Sequence, residues 1–303
     1  GSVIEKSTEY NFIKLSLSDL IRIPFLILFK NFPVSVAIFQ RLKLNNLDNH
    51  NIIFHLARST QIDIINDYQI LDFCESHSNN LRKRLNNYKF IFNKLLKFEI
   101  SRLDKYENKI LGLYNSIYFI TNNDIKFKAK NYKVLPNKVK KSSINLKFSE
   151  RNKNKICFLG EMNYLPNLTA LMWLDDFLNH SDEYEIHVIG KIKTIPKLKN
   201  SSNFIFHGFV DNIDNYIKDS ITTVFFSYES TGLQNKILDY LNYGIPVFTN
   251  KEVADSFISG HPLIVINNKQ EFRKGIAKLI SSERDYNILS QLCKNYLLKH
   301  YTI

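Results

Sequence analysis
The chain has 303 residues, enough for two domains of ordinary size, and its 44% hydrophobic and 23% charged composition, with few Gly and Pro, excludes wholesale disorder. A formal charge of +12 invites nucleic acid or an anionic membrane, but Lys is spread along the whole chain without a dense basic block, so no nucleic-acid partner is expected. Cys74, Cys157 and Cys293 lie far apart and the eight His show no ligand spacing, which argues against a disulfide framework and a metal site and for a reducing, cytoplasmic compartment.

The first forty-odd residues read as helical, over 17–28 with a break at Pro24 and again over 34–44. The apolar stretch Leu20–Phe32 is too short and too interrupted to span a bilayer; it reads as a buried helix or, alternatively, a membrane-surface contact. Strands are expected at 51–55 and 69–73, ahead of a long amphipathic helix over 88–114 with Leu95, Leu96, Leu103, Tyr106, Ile110 and Leu113 along one stripe. Further strands follow at 116–121 and 132–135, around a short helix after Asn122. The alternation of strands and helices predicts a parallel sheet. Residues 139–154 are polar, basic and aperiodic, and read as a linker between a first domain over 1–138 and a second over 155–303.

The second half repeats the alternation. A strand over 156–159 ends at Gly160 and leads to a helix over 168–178; strands over 185–189 and 204–206 follow, then a helix from Asp211. Next comes the most informative stretch, ITTVFFSYESTGLQNKILDYLNYGIPVFT at 221–249. Ile221–Phe226 is rich in apolar and β-branched residues and reads as a strand buried on both faces. After the turn Ser227–Gly232, Leu233, Ile237, Leu238 and Leu241 fall on one helical face, with Asn235, Lys236, Asp239 and Asn242 on the other. Gly244 marks the helix end and residues 245–249 form the next strand. Helices over 252–258, 270–280 and 283–300, with a strand over 263–266, close the chain.

A polar turn at the carboxyl end of a parallel strand is where open α/β sheets bind ligands. The amides opening the helix at Leu233 and Gln234 attract anions, Gly232 permits close approach of a diphosphate, Lys236 adds a cation, and the Asp239 carboxylate can accept from a vicinal diol such as a ribose. Equally, Lys236 and Asp239 are three apart and could form an ordinary surface ion pair.

The segment GLQNKILDYLNYGIPVFT resembles the nucleotide-sugar segment of family-4 retaining glycosyltransferases, and within them the bacterial polysaccharide sugar-transferase branch, whose pattern reads G-x-Q-N-K-x-L-E-A-M-A-x-G-x-P-V-V. Asp239 stands where that family has a glutamate, and Thr231 where many relatives carry a second one; Glu229 is out of register. Gly160 to Asn167, with Ala170 and Trp173, resembles the branch's G-x-M-x-Y-x-P-N-x-x-A-x-x-W pattern, and His207 to Asp211 its G-F-V-x-D turn, which also reads as a plain connection with Asp211 as N-cap. Looser likeness covers Leu71 to Ser78, the helix with Glu99, Arg102, Leu103, Tyr106 and Glu107, and Pro136-Asn137, so that it runs from about His55 to the end.

The resemblance implies an α/β chain of two facing Rossmann-like domains, the GT-B fold, the first incomplete because the strand and Gly-rich loop that open relatives are missing. It implies a metal-independent, cofactor-free hexosyltransferase that moves a sugar from a UDP- or GDP-type donor to a glycan or lipid-linked hydroxyl with retention. The setting would be surface polysaccharide or lipopolysaccharide synthesis, in the cytoplasm or peripheral at the inner face of an anionic membrane. Diphosphate and sugar would fall to Gly160, Ser230, Thr231, Gly232, Leu233, Gln234 and Lys236, with Gly160 giving close approach between the domains; ribose would fall to Asp239 and the base to Phe209 and Val210. His55, with Arg58 beside it, is the candidate catalytic residue, though a lone His is often structural. A non-catalytic nucleotide-sugar or carbohydrate-binding protein of the same fold is the alternative, and a nucleotide-sugar epimerase a third.

Overall fold
Short apolar runs alternating with amphipathic helices build two parallel sheets in a computed structural model that describes residues 33, 36, 52–56, 69–83, 85, 90–114, 116–125, 131–179, 182–228 and 232–303. The helices expected at 17–28 and 34–44 lie outside these residues, apart from Val36, and so do Arg58, Glu229, Ser230 and Thr231.

The first sheet runs in the order β1 (Ile52–His55), β2 (Gln69–Cys74), β3 (Ser116–Phe119), β4 (Tyr132–Val134). Between β2 and β3 lie α1 (His77–Lys83), which periodicity did not predict, and the long α2 (Phe90–Leu111). Leu103, Tyr106 and Ile110 of α2 pack under the sheet against Leu71, Phe73 and Phe119. The expected stripe is corrected at its start: Leu95 is 63% exposed, and the buried side continues from Ile100 instead.

The second sheet has six strands in the order β10-β9-β8-β5-β6-β7. In chain order these are β5 (Asn152–Leu159), β6 (Glu185–Ile189), β7 (Phe204–Gly208), β8 (Ser220–Phe225), β9 (Val247–Thr249) and β10 (Ile264–Val265). All six residues of β8 are buried, Ile221, Val224 and Phe225 together with Ser220, Thr222 and Thr223, and the hydroxyls of Thr222 and Thr223 donate to the carbonyls of Pro246 at 2.8 Å and Cys157 at 2.5 Å. The crossovers are α3 (Leu165–Phe177), α4 (Asp214–Ile217), α5 (Asn235–Asn242) and α6 (Lys251–Ala254), with α7 (Lys269–Ser281) and α8 (Glu283–His300) closing the chain. α5 begins at Asn235 with Gln234 as N-cap, two residues later than the pattern suggested.

Residues 137–150 run along the surface of the second half. Val139 N donates to the Tyr301 carbonyl at 2.8 Å, Ser142 N to Asn242 Oδ1 at 2.8 Å and Lys294 Nζ to the Ile144 carbonyl at 2.9 Å. Phe148 is buried against the Tyr286 ring, 5.2 Å between centroids. β5 opens at Asn152, inside the stretch whose polarity suggested a linker, because its first three residues are exposed while the next five are buried.

Candidate functional site
In the second sheet the chain leaves β5 toward β6 and β7 on one side, and its later strands β8, β9 and β10 lie on the other. β5 and β8 are therefore the switch point, and the loops at their carboxyl ends diverge to leave a crevice. Gly160 follows β5 and Gly190 follows β6. Gly160 N donates to the Ile189 carbonyl at 2.9 Å, and Gly190 N to the Gly208 carbonyl at 2.8 Å. Gly190 has a φ of +139°, and a Cβ there would lie 1.9 Å from the Gly160 carbonyl oxygen. The close approach expected at Gly160 is thus to Gly190 and Asn167 within the second half, whereas the glycine that touches the first half is Gly232.

Above this backbone floor opens a cavity of about 400 Å³. Lys236 and Asp239 of α5 line one wall, with Asn167 beside them, and Lys191, Phe209 and Val210 line the other. They do not form the surface ion pair that their spacing allows. Lys236 instead turns its Nζ to Asn167 Oδ1 and over the Phe225 ring, 3.9 Å from its centroid. Asn167 is held in turn by its Nδ2 donating to the Glu161 carbonyl at 3.0 Å. Burial pulls the Lys236 ammonium down to about 7. Burial, and then the nearby Asp214 carboxylate, push Asp239 up to about 6. The amide oxygen and ring beside Lys236 do not offset the desolvation of its charge, and no cation among the described residues stabilises Asp239, so an anion at Lys236 and hydrogen-bond donors at Asp239 would each stabilise the charged form.

Phe209 is 68% exposed, and Lys191 Nζ lies 5.6 Å from its ring centroid. Val210 is half-buried against the core. α5 itself is fixed from beneath: Tyr240 is buried and its hydroxyl accepts from Leu159 N at 2.6 Å, tying the helix to the end of β5. At its far end the buried Arg151 guanidinium donates to the Tyr243 carbonyl at 2.6 Å and to the Ser220 carbonyl at 3.1 Å.

The segment from Gly232 to Asp239 is a shared wall. While Lys236 and Asp239 face the cavity just described, Gly232, Leu233 and Asn235 line a second one of about 760 Å³ between the two halves. Gly232 has a φ of +71°. Opposite it stand the carboxyl ends of the first sheet, with Leu56, Asp72, Cys74, Glu75 and Tyr118. His55 ends β1 in register with Asp72. Asn167, Gly190, Lys191 and Glu75 are not among the site residues expected from the sequence, although Asn167 and Glu75 lie in segments that carry the family resemblance and Gly190 ends a predicted strand. The signal for a site role at Gly190 is its place, since it follows β6 as Gly160 follows β5. Among the described residues no three His, Cys, Asp or Glu cluster as a metal site, and no helix is long and apolar enough to cross a membrane.

Residues 153–282 match the family model described as "Glycosyl transferases group 1". No curated protein sequence matches the chain. Among solved structures, HepE of Anabaena in complex with UDP-glucose superposes with a TM-score of 0.61 at 9% identity, over 90% of this chain and 79% of that one. Sucrose-phosphate synthase from Thermosynechococcus elongatus gives 0.61 at 9% identity, over 91% and 75%. WaaG, a glycosyltransferase involved in lipopolysaccharide biosynthesis, gives 0.56 at 12% identity, over 82% and 73%. The fold is GT-B. Two parallel sheets meeting across a cleft, with a crevice at the switch point of the second, are this GT-B architecture in the present chain. The chain spans less than half of some other solved structures that it matches, 43% of one and 45% of another.

Proposed function
We propose that the protein transfers a sugar from a nucleoside diphosphate sugar to a hydroxyl acceptor with retention, as a metal-independent hexosyltransferase that needs no cofactor. The observation that carries this is the pairing of Lys236 and Asp239 over one cavity at the switch point, the first pulled toward neutrality and the second pushed toward protonation by burial. A diphosphate at Lys236 and the opening amides of α5 would restore the lysine's charge, and a ribose would give Asp239 two hydroxyls. Gly160, Ser230, Thr231, Gly232, Leu233 and Gln234 surround the diphosphate and sugar in this reading, and Phe209 and Val210 take the base. The group 1 match over residues 153–282 and the UDP-glucose held by HepE support a nucleotide-sugar donor, which in HepE is of UDP type.

In the transfer the anomeric carbon exchanges its bond to a diphosphate oxygen for one to the acceptor oxygen. The leaving charge collects beside Lys236 and the helix amides, where it is stabilised electrostatically. The acceptor proton passes to a base, for which His55 at the end of β1, with Arg58 near it in sequence, is our candidate. The acceptor is a glycan or a lipid-linked sugar of surface polysaccharide or lipopolysaccharide synthesis, the setting that WaaG's name gives for that protein. Work at the cytoplasmic face of the membrane, with peripheral contact to anionic lipid, agrees with the charge of +12.

Thermal shift against UDP, GDP, ADP and CMP tests the reading. One of UDP and GDP is expected to raise the melting temperature, and Lys236→Ala and Asp239→Ala to abolish the rise. Stabilisation that survives both substitutions, or none with any nucleotide, overturns it. Binding without hydrolysis or transfer from any donor would leave the non-catalytic alternative.

A further inference from the structure
Two carboxylates, Asp72 and Glu75, reach the cleft between the halves from the end of β2. Their placement is built. β2 bulges between Asp72 and Cys74: Asp72 opposes Tyr118 and Cys74 already opposes Phe119. Cys74 takes a left-handed φ of 58°, a conformation that a residue with a Cβ adopts at a cost and that recurs at functional sites. A bulge at the end of a sheet re-aims the side chains that follow it. Here the next residue is brought against the opposite half, with Glu75 Oε2 3.4 Å from the position a Cβ of Gly232 would occupy. Behind Glu75 the loop is anchored by the buried Glu107 of α2, which accepts from Ser76 Oγ at 2.9 Å, Ser78 Oγ at 2.6 Å and Ser78 N at 3.1 Å.

Gly232 also stands just before the amides that open α5, so a group extending from a diphosphate held there toward the first half meets Glu75. A carboxylate accepts hydroxyl hydrogen bonds at up to about four lone-pair sites and repels another anion. We infer that Glu75, with Asp72 behind it, receives hydroxyls of the donor sugar from across the cleft, and that the sugar it selects is uncharged. This rests on the nucleotide-sugar reading above and adds the residue that reads the sugar and the class of sugar read. Glu75 is then a positioning residue contributed by the first half to a donor whose nucleotide is held by the second.

Calorimetry on the full chain separates the two levels, using UDP, UDP-glucose, UDP-galactose and UDP-glucuronate, with GDP and GDP-mannose alongside. Glu75→Gln is expected to leave the Kd of the bare nucleoside diphosphate within about twofold and to weaken the neutral nucleotide sugar about tenfold, the loss of one hydrogen bond to a charged group. Wild type is expected to discriminate against UDP-glucuronate, and Glu75→Gln to relax that discrimination. Equal loss for nucleotide and nucleotide sugar, no loss for the sugar, or a glucuronate donor bound as tightly as a neutral one overturns the inference while leaving the nucleotide site standing. Failure of wild type to bind any nucleoside diphosphate takes down both. Should Glu75→Gln lower the melting temperature, Glu75→Asp, which keeps the charge but withdraws it by one methylene, is expected to show the same split.

Discussion

Lys236 and Asp239 set the pH behaviour of the site. The folded-state lysine, at about 7, lies below its ordinary value, so between about 7 and 10 the unfolded chain holds the extra proton and stability rises with pH. The folded-state aspartate, at about 6, lies above its ordinary value, so between about 4 and 6 the folded chain holds the extra proton and stability falls as pH rises. Between about 6 and 7 both groups are charged and desolvated, and the unliganded site is at its least favourable. Lys236→Met is therefore expected to raise the melting temperature at pH 6.5 by roughly 2–4 °C, with a gain that shrinks toward pH 9, as scanning fluorimetry across pH would read. A diphosphate that restores the lysine's charge takes up a proton. Titration at pH 8 in buffers of different ionisation heat should report that uptake, and lose it in Lys236→Met.

Among the elements, α5 depends on its two ends. The amphipathic spacing buries Ile237, Leu238 and Leu241, each contributing about 1.5–3 kcal/mol, and sets Lys236 and Asp239 on the opposite side. Arg151 closes the far end by donating to the carbonyls of Lys218, Ser220 and Tyr243. Arg151→Met, which leaves these buried acceptors without their donor, is expected to cost roughly 2–4 kcal/mol in urea unfolding. The α5 face and the buried strand before it were legible because periodicity of 3.6 and short runs of apolar and β-branched residues are local signals. The partner of Lys236 was not, since Asn167 sits 69 residues away and meets it only once β5 and β8 pair. The stripe on α2 failed at Leu95 because a pattern reports which face could be buried, not how far along the helix the sheet extends. α1 escaped notice because its first turn is held by the Glu107 carboxylate, far off in sequence, where periodicity reads only neighbours.

At the scale of the molecule, the two halves differ in what they bring to the site. One continuous core gathers the second sheet, its helices, Phe148 and Tyr301, and the run from Val139 is bonded to that same body. A fragment of residues 139–303 is thus expected to fold alone, with a cooperative melt, and to bind the nucleoside diphosphate about as well as the whole chain. It should be blind to Glu75→Gln chemistry, binding neutral and acidic nucleotide sugars alike, and a fragment starting at 152 should melt lower for want of Phe148. The meeting of Gly160 with Gly190 carries a different lesson, one of tolerance. A methyl group at 190 would act as a wedge between neighbouring strands, so the base of the crevice is closed to substitution. On the proposed function, drift in nucleobase preference is expected at the rim, at Phe209 and Lys191, where side chains can change without disturbing the sheet below.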